Sequence, residues 1–321
     1  MKCDANIVVF GSGGLIGSEI VKTLQKLSYS NITSCSHEDL ELLNQAKVNL
    51  FFKEKQPQYI FFCAVKAITN FDSGHCIDAA EMYSNIMMQF NVMEAARMYN
   101  VKKAIFLGSA MLYPWNNEHQ NELLCESLLE DFRINQFRDS MKSTVLSKFV
   151  TMKMCQYYYQ QYGSNFIYAI PTHIYGGLKN RKHLYFLENL VIELCEAKLN
   201  NKNSIKLDIY GEGKARKQIL HVQDCANAII TLMKYYENYL EPVNIGTNQY
   251  ESWSSIVEKI CEIINYKGEI TFNVDKPERL ENRLCSIEKL THLGWSPKID
   301  IDNGLRCLCN EYLQSKRAYH A

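Results

Sequence analysis

The first residues whose types and spacing could do chemistry are Gly11, Gly14 and Gly17, within Gly11-Ser12-Gly13-Gly14-Leu15-Ile16-Gly17. Glycines at this spacing clear a tight turn of side chains. The first permits the turn, the second lets backbone approach a pyrophosphate, and the third allows a helix to pack closely on the preceding strand. A helix opening there aims unpaired N–H groups at the phosphates. The chemistry implied is dinucleotide binding. A second set could hold or move protons. Ser109 follows Gly108 at the end of an apolar run, where it either closes a turn or offers a hydroxyl to a ligand. His173 and His183 titrate near neutral pH by type and could supply a proton; their plainer roles are a structural histidine and an exposed loop residue. A third set is cationic: Lys179, Arg181, Lys182, Arg216, Lys217 and Arg283 suit a diphosphate, although each alone is equally an ordinary surface charge.

These groups need a scaffold, and the hydrophobic pattern describes one. Ala5 to Phe10 is a short run rich in Ile and Val, followed after the glycines by the helical spacing Ile20, Leu24, Leu27. Further strand-like runs span Tyr59 to Ala64, Ala104 to Gly108, Asn165 to Pro171 and Val243 to Gly246. Helical stretches, Ala79 to Tyr99 and Val145 to Tyr162, lie between them. Strands alternating with helices predict an α/β fold, a Rossmann-type doubly wound parallel sheet covered on both faces. From Gly176 to Ile209 the pattern loosens into an insertion with an amphipathic helix near Leu187 to Leu199. The stretch from Tyr250 onward reads as two helices around an extended segment, Glu269 to Asn273, forming a small lid. The expected division is a dinucleotide-binding domain, 1–176 with 217–249 returning to it, and a smaller mixed substrate domain of 177–216 and 250–321.

Composition narrows the partners. A chain of 321 residues with 47% hydrophobic and 22% charged residues can bury a large core, and its length suits two domains or one large α/β unit. Lys plus Arg and Asp plus Glu number 35 each, and no basic block tracks a phosphate backbone, which argues against nucleic acid. Twelve cysteines lie scattered without a CxxC, as in reduced thiols of a cytoplasmic protein. Cys307 and Cys309 are a close pair without further ligands, so no metal is expected. The N-terminal residues contain no signal-like apolar region, and no run approaches the ~18 apolar residues of a membrane span. Neither export nor membrane insertion is expected.

Taken in order, the motifs resemble the extended short-chain dehydrogenases/reductases of the NAD-dependent epimerase/dehydratase family, in the branch of GDP-L-fucose synthases. The resemblance is carried nearly end to end by Gly11 to Gly17, Glu38 to Leu43, Ala64-Val65-Lys66, Tyr83 to Met88, Phe106 to Ser109, Leu112-Tyr113-Pro114 and Lys148. It continues through Gln161-Tyr162-Gly163, Pro171 to Gly176, Leu220 to Asp224, Asn244 to Thr247 and Leu293-Gly294-Trp295. The resemblance implies that Ser109 hydrogen-bonds the sugar oxygen at the carbon exchanging hydride, and that Lys148 binds the nicotinamide ribose and tunes the catalytic acid. It implies cofactor contacts from Gly11, Ser12, Gly13, Gly14, Leu15, Ile16, Gly17, His37, Ala64, Lys66, Asn85, Lys148, Pro171 and His173. Substrate contacts would come from Ser109, Met111, His183, Lys217 and Arg283. The implied substrate is a nucleotide sugar, a GDP-hexose or GDP-heptose of surface polysaccharide synthesis, and the implied assembly is a homodimer through the helices at 79–99 and 145–162.

The departures matter as much. The family's Tyr-x-x-x-Lys reads Thr144-Val145-Leu146-Ser147-Lys148. A threonine hydroxyl is far less acidic than a phenol, and acid–base catalysis is worth 10²–10⁴ in rate. The cysteine that moves a proton during epimerisation is Met111, which has none to give; the partner histidine corresponds to His183. The motif's asparagine is His173, and its arginine is Lys217. Gly13 and Ser36-His37 stand where NADP-dependent members place a basic side chain, and Glu38 and Asp39 come late for an NAD-type acid, so NAD and NADP both remain open. Two readings stand: an NAD(P)-dependent oxidoreductase or epimerase with altered acid–base chemistry at Thr144, or an impaired cofactor- and nucleotide-sugar-binding relative acting as a regulatory or heteromeric partner.

Overall fold

A computed structural model describes residues 1–66, 79–114, 123–178, 185–276 and 283–320. In chain order the first part runs β1 (Ile7–Phe10), α1 (Leu15–Lys26), β2 (Ile32–Cys35), α2 (Gln45–Lys55), β3 (Tyr59–Phe62), α3 (Ala79–Met98), β4 (Lys103–Leu107), α4 (Asp139–Tyr162) and β5 (Phe166–Pro171). Next come β6 (His173–Tyr175), α5 (Phe186–Leu199), β7 (Ser204–Tyr210), β8 (Arg216–Lys217), β9 (Ile219–His221), α6 (Val222–Tyr235) and β10 (Val243–Ile245). The last part holds β11 (Glu251–Ser252), α7 (Trp253–Ile264), β12 (Glu269–Asn273), α8 (Glu288–His292) and α9 (Ile301–His320).

Six strands form one parallel sheet in the order β10-β5-β4-β3-β1-β2. Successive strand side chains point to opposite faces, and β1 shows the result: Val8 and Phe10 enter one hydrophobic cluster, Ile7 and Val9 another. Burial on both faces is what a central parallel strand requires. α2, α3 and α4 cover the first face; α1 and α6 pack together on the second. The doubly wound sheet expected from the sequence is therefore present. A third cluster lies apart, built from Leu187 and Leu194 of α5, Leu207 of β7, Ile256 and Ile260 of α7, and Leu305 and Leu308 of α9. Its small sheet pairs β7 with β12 in parallel.

Two boundaries differ from the sequence reading, each for a physical reason. α4 begins at Asp139 rather than Val145, because the face its first turns bury is largely polar, with Ser143 and Thr144 beside Met141. Apolar periodicity cannot reveal such a start. The stretch after Tyr250 holds α7, α8 and α9 rather than two helices; α8 has only five residues, too short to show a period. No helix among the described residues is long and apolar enough to cross a membrane.

The segment after residue 283 is tied to the main body by backbone and by one side chain. Leu124 N–H donates to the Leu284 carbonyl at 2.6 Å, and Ser286 N–H donates to the Leu124 carbonyl at 3.0 Å. Gln218 receives Cys285 N–H at 3.0 Å and returns a bond to its carbonyl at 2.9 Å. Cys285, two residues after Arg283, is thereby fastened to the residue that follows Lys217.

Candidate active site

The chain reverses direction across the sheet between β1 and β3, and ligands of open α/β sheets bind at the carboxyl ends of strands at such a point. The glycine turn lies there. Gly11 has φ of +76°, and a Cβ on it would sit 2.6 Å from the Ala64 nitrogen, just past β3. A Cβ on Gly17 would lie 2.2 Å from the Gly11 carbonyl oxygen. Gly13 faces open space, with nothing within 4 Å of its absent Cβ. Gly14 caps α1 with no side-chain hydrogen bond, which leaves the first-turn N–H groups to an anion. These residues fit the pyrophosphate of a nicotinamide dinucleotide, and Ser12, Leu15 and Ile16 complete the turn.

Neighbouring elements lock the turn. Gly11 N–H donates to the Cys35 carbonyl at 2.8 Å, which fastens it to the end of β2. Asn85 of α3, buried, grips the loop after Ala64 twice: Lys66 N–H donates to its Oδ1 at 2.8 Å, and its Nδ2 donates to the Lys66 carbonyl at 3.0 Å. Lys66 and Asn85 are thus structural partners as well as predicted cofactor contacts. His37 is exposed beyond β2. The Asp39 carboxylate is engaged by its own turn, accepting from Ser36 N at 2.7 Å and Ser36 Oγ at 2.6 Å, and those bonds hold it below the usual carboxylate range.

Ser109 lies two residues past the end of β4 in extended backbone, and its Oγ accepts Met111 N–H at 3.2 Å. The oxygen thus caps a 3-10 turn, as the plainer of the two readings expected, while its hydroxyl hydrogen donates to no protein group among the described residues. Thr144 and Lys148 lie one turn apart on the same side of α4. Thr144 is buried, and its hydroxyl has no hydrogen-bond partner. Burial lowers the Lys148 ammonium to about 8, against the opposing pull of Glu81 on α3.

Two residues that sequence reasoning missed connect these groups. The Tyr168 hydroxyl donates to the Lys148 carbonyl at 2.8 Å, and its ring lies where a Cβ on Gly108 would come within 2.5 Å. It thereby ties the helix turn bearing Lys148 to the strand end bearing Ser109. Within the run Phe166 to Pro171 it reads simply as a core aromatic, and no spacing signal distinguishes it. Glu81 stands near the start of α3, where an acid ordinarily sits exposed against the helix dipole; here it is buried.

The remaining candidates divide. Pro171 ends β5, and Thr172 N–H donates to the Ile245 carbonyl at 2.8 Å. His173 is in β6, edge-on to Trp253 with 5.8 Å between ring centroids. Burial, then the Lys217 charge, pushes its imidazole down to about 4. The expectation of titration near neutral pH is corrected: His173 is neutral there and unsuited to supplying a proton. Lys217 pairs with Glu251 across β8 and β11, and the Arg216 guanidinium lies 3.5 Å over the Tyr250 ring. His183 lies outside the described residues, as do Lys179, Arg181 and Lys182.

His173 gives a stability prediction. An unfolded histidine takes a proton below about pH 6.5, whereas the folded one resists until about 4. Stability is therefore full above 6.5 and lost as pH falls toward 4, by about 3 kcal/mol. Urea unfolding at pH 7 and pH 4.5 should show His173→Asn losing less than the wild type; equal losses would count against it.

The chain is similar along most of its length to known proteins. A putative GDP-L-fucose synthase of Arabidopsis thaliana is 31% identical over 317 residues, covering 98% of this chain and 94% of its own. The structure of a GDP-mannoheptose C4 reductase from Campylobacter jejuni with NADP bound superposes with a TM-score of 0.83 at 29% identity, covering 98% of this chain and 99% of its own. A GDP-D-glycero-L-gluco-heptose synthase from Campylobacter jejuni, solved in the presence of NADPH, gives 0.81 at 26% identity over 98% and 99%. The model of the NAD dependent epimerase/dehydratase family matches residues 7–246, and this chain belongs to that family.

Proposed function

We propose that the protein is an NADPH-dependent reductase of a GDP-linked 4-keto hexose or heptose, working in surface polysaccharide synthesis in the cytoplasm. The observation that carries this reading is the strut of Tyr168, which joins the helix turn of Lys148 to the strand end at Gly108, next to Ser109, at the same carboxyl edge of the sheet as the uncapped glycine turn. When bound, a reduced nicotinamide supplies hydride to the sugar carbonyl carbon. Ser109 donates a hydrogen bond to the carbonyl oxygen and orients it. Lys148 brings positive charge to the ribose and to that oxygen as charge develops there. Met111, at the position of a proton-carrying thiol, supports reduction without epimerisation.

The engagement of Asp39 with Ser36 favours NADPH, because it commits that carboxylate to its own turn rather than to ribose hydroxyls. Of the heptose-sugar relatives, one was solved with NADP bound and the other in the presence of NADPH. Lys217 and Arg283 would meet the diphosphate, with 177–216 and 250–321 as the sugar-binding part and Thr144, His173 and His183 around the sugar. Exposed Tyr83 of α3 with Tyr157 and Tyr162 of α4 supply an apolar face for a homodimer.

The hydroxyl of Thr144, without a partner, favours one second reading, an impaired relative that binds both ligands and regulates another protein. Nicotinamide absorbance with GDP-linked 4-keto sugars, together with NADPH and NADH affinities from fluorescence, separates the two. Turnover with tighter NADPH binding is expected. Binding without turnover would establish the second reading, and no nucleotide binding would defeat both.

A further inference from the structure

We propose that Lys148 itself protonates the sugar oxygen in place of the family's phenol, and that the buried carboxylate of Glu81 is the counter-charge that keeps its ammonium loaded. This deepens the reductase reading and rests on it.

Among the described groups at this end of the sheet, the alternatives to Lys148 are poor acids. Thr144 and Ser109 are alcohols, with pKa values far above any working pH, and the Ser109 oxygen already accepts Met111 N–H. His173 is neutral at pH 7 and has no proton to release on its imidazolium side. Lys148 carries one and, lowered to about 8, yields it near physiological pH, where a general acid is most effective.

Placement supports the same role. Lys148 is one turn beyond the position from which the phenol would act, Tyr168 fixes that turn through the Lys148 carbonyl, and α4 packs against the 3-10 turn that Ser109 caps. Of the elements packed against α4, α3 contributes Glu81, whose charge reaches Lys148. β5 contributes Tyr168, a neutral phenol committed to a backbone carbonyl. The 3-10 turn Ala110–Leu112 contributes no ionisable side chain. Glu81 is positioned in turn by Asn85, whose Nδ2 donates to its Oε1 at 3.3 Å, the same asparagine that grips the Ala64–Lys66 loop. An uncompensated ammonium drawn partly out of water would shed its proton too early, and a buried carboxylate opposes that.

The step balances. An N–H bond of the Lys148 ammonium breaks as an O–H bond forms at the sugar oxygen. The carbonyl carbon gains the two electrons of the hydride and is reduced to an alcohol, with the nicotinamide oxidised. The neutral amine then regains a proton from water. Glu81 is a positioning residue, since it touches neither substrate nor cofactor in this scheme.

The test uses the full chain, NADPH and a GDP-linked 4-keto sugar, with Glu81→Gln and Lys148→Arg. In the wild type, kcat should fall tenfold per pH unit above about 8. Glu81→Gln should move that limb to lower pH by about one pH unit, roughly tenfold in rate at pH 8 and above. A merely structural role for Glu81 would lower the rate at every pH without moving the limb. Lys148→Arg should keep NADPH affinity within a few-fold yet lose 10²–10⁴ in kcat, because a guanidinium does not release its proton. Independently of activity, ¹³C-dimethylated cofactor-free protein should show one lysine signal titrating near 8, absent in Lys148→Arg and displaced downward in Glu81→Gln. An unmoved limb and signal in Glu81→Gln, or an active Lys148→Arg, overturns the inference while leaving the reductase reading intact. A wild type that binds NADPH but reduces no sugar at any pH overturns both.

Discussion

Thr144→Tyr is expected to make the enzyme about 10²-fold faster than wild type at pH 10 while changing little at pH 7. With Lys148 as the acid, the wild-type rate declines tenfold for each pH unit above about 8, a hundredfold by pH 10. A phenol at 144 would stand one turn before Lys148 and keep its proton to about pH 10 by its ordinary acidity. The side chain at 144 is buried and its hydroxyl bonds to nothing, so the exchange breaks no existing hydrogen bond. Single-turnover rates at both pH values decide the matter. Equal alkaline losses in the two proteins would mean that the added phenol does not reach the sugar oxygen. A gain of 10²–10⁴ at pH 7 over an inert wild type would instead identify an impaired relative whose missing part had been returned.

The second large effect belongs to Gly17. A β-carbon there would stand 2.2 Å from the Gly11 carbonyl oxygen and 2.8 Å from its carbonyl carbon, both backbone, so the turn has to open to admit it. Gly17→Val should weaken NADPH binding at least 10²-fold, about 3 kcal/mol, and lower the unfolding temperature as well. Gly13 is the control, since its position meets nothing in the protein. Gly13→Ala should leave the unfolding temperature near the wild-type value, and any affinity it loses is a collision with the ligand alone. Calorimetric titration and thermal unfolding of both variants supply the readout; unchanged affinity in Gly17→Val would mean the pyrophosphate lies elsewhere.

Legibility in the sequence followed local pattern. β1, β3, β4 and β5 are buried on both faces and read as apolar runs, and Ile20 with Leu24 marks the inward side of α1. β2, Ile-Thr-Ser-Cys at the sheet edge, is half polar and escaped notice. The glycine turn was legible because a short motif carries its own geometry; Ser109 was legible as a serine that closes a turn, and its role toward a sugar came from the resemblance. Glu81 and Tyr168 were not, because each matters through a residue more than fifteen positions away: Tyr168 through the Lys148 carbonyl, Glu81 through the Lys148 charge. His173 was legible as a histidine but not as a neutral one, since its acidity depends on packing beside Trp253 and on Lys217.

The sheet order also shapes how the chain is born. β5 lies between β4 and β10, yet about 70 residues separate its end from the start of β10. Synthesis at roughly 5–20 residues per second leaves the outer edge of β5 without its neighbour for roughly 4 to 14 seconds. During that time an apolar strand, Phe-Ile-Tyr-Ala-Ile-Pro, presents open backbone groups to any other nascent chain on the same messenger. Only the terminal proline, which has no N–H to offer, blunts it. The aggregation hazard of this protein thus belongs to translation rather than to the finished molecule. Slower growth at low temperature lengthens that exposure but weakens the hydrophobic attraction that makes it dangerous.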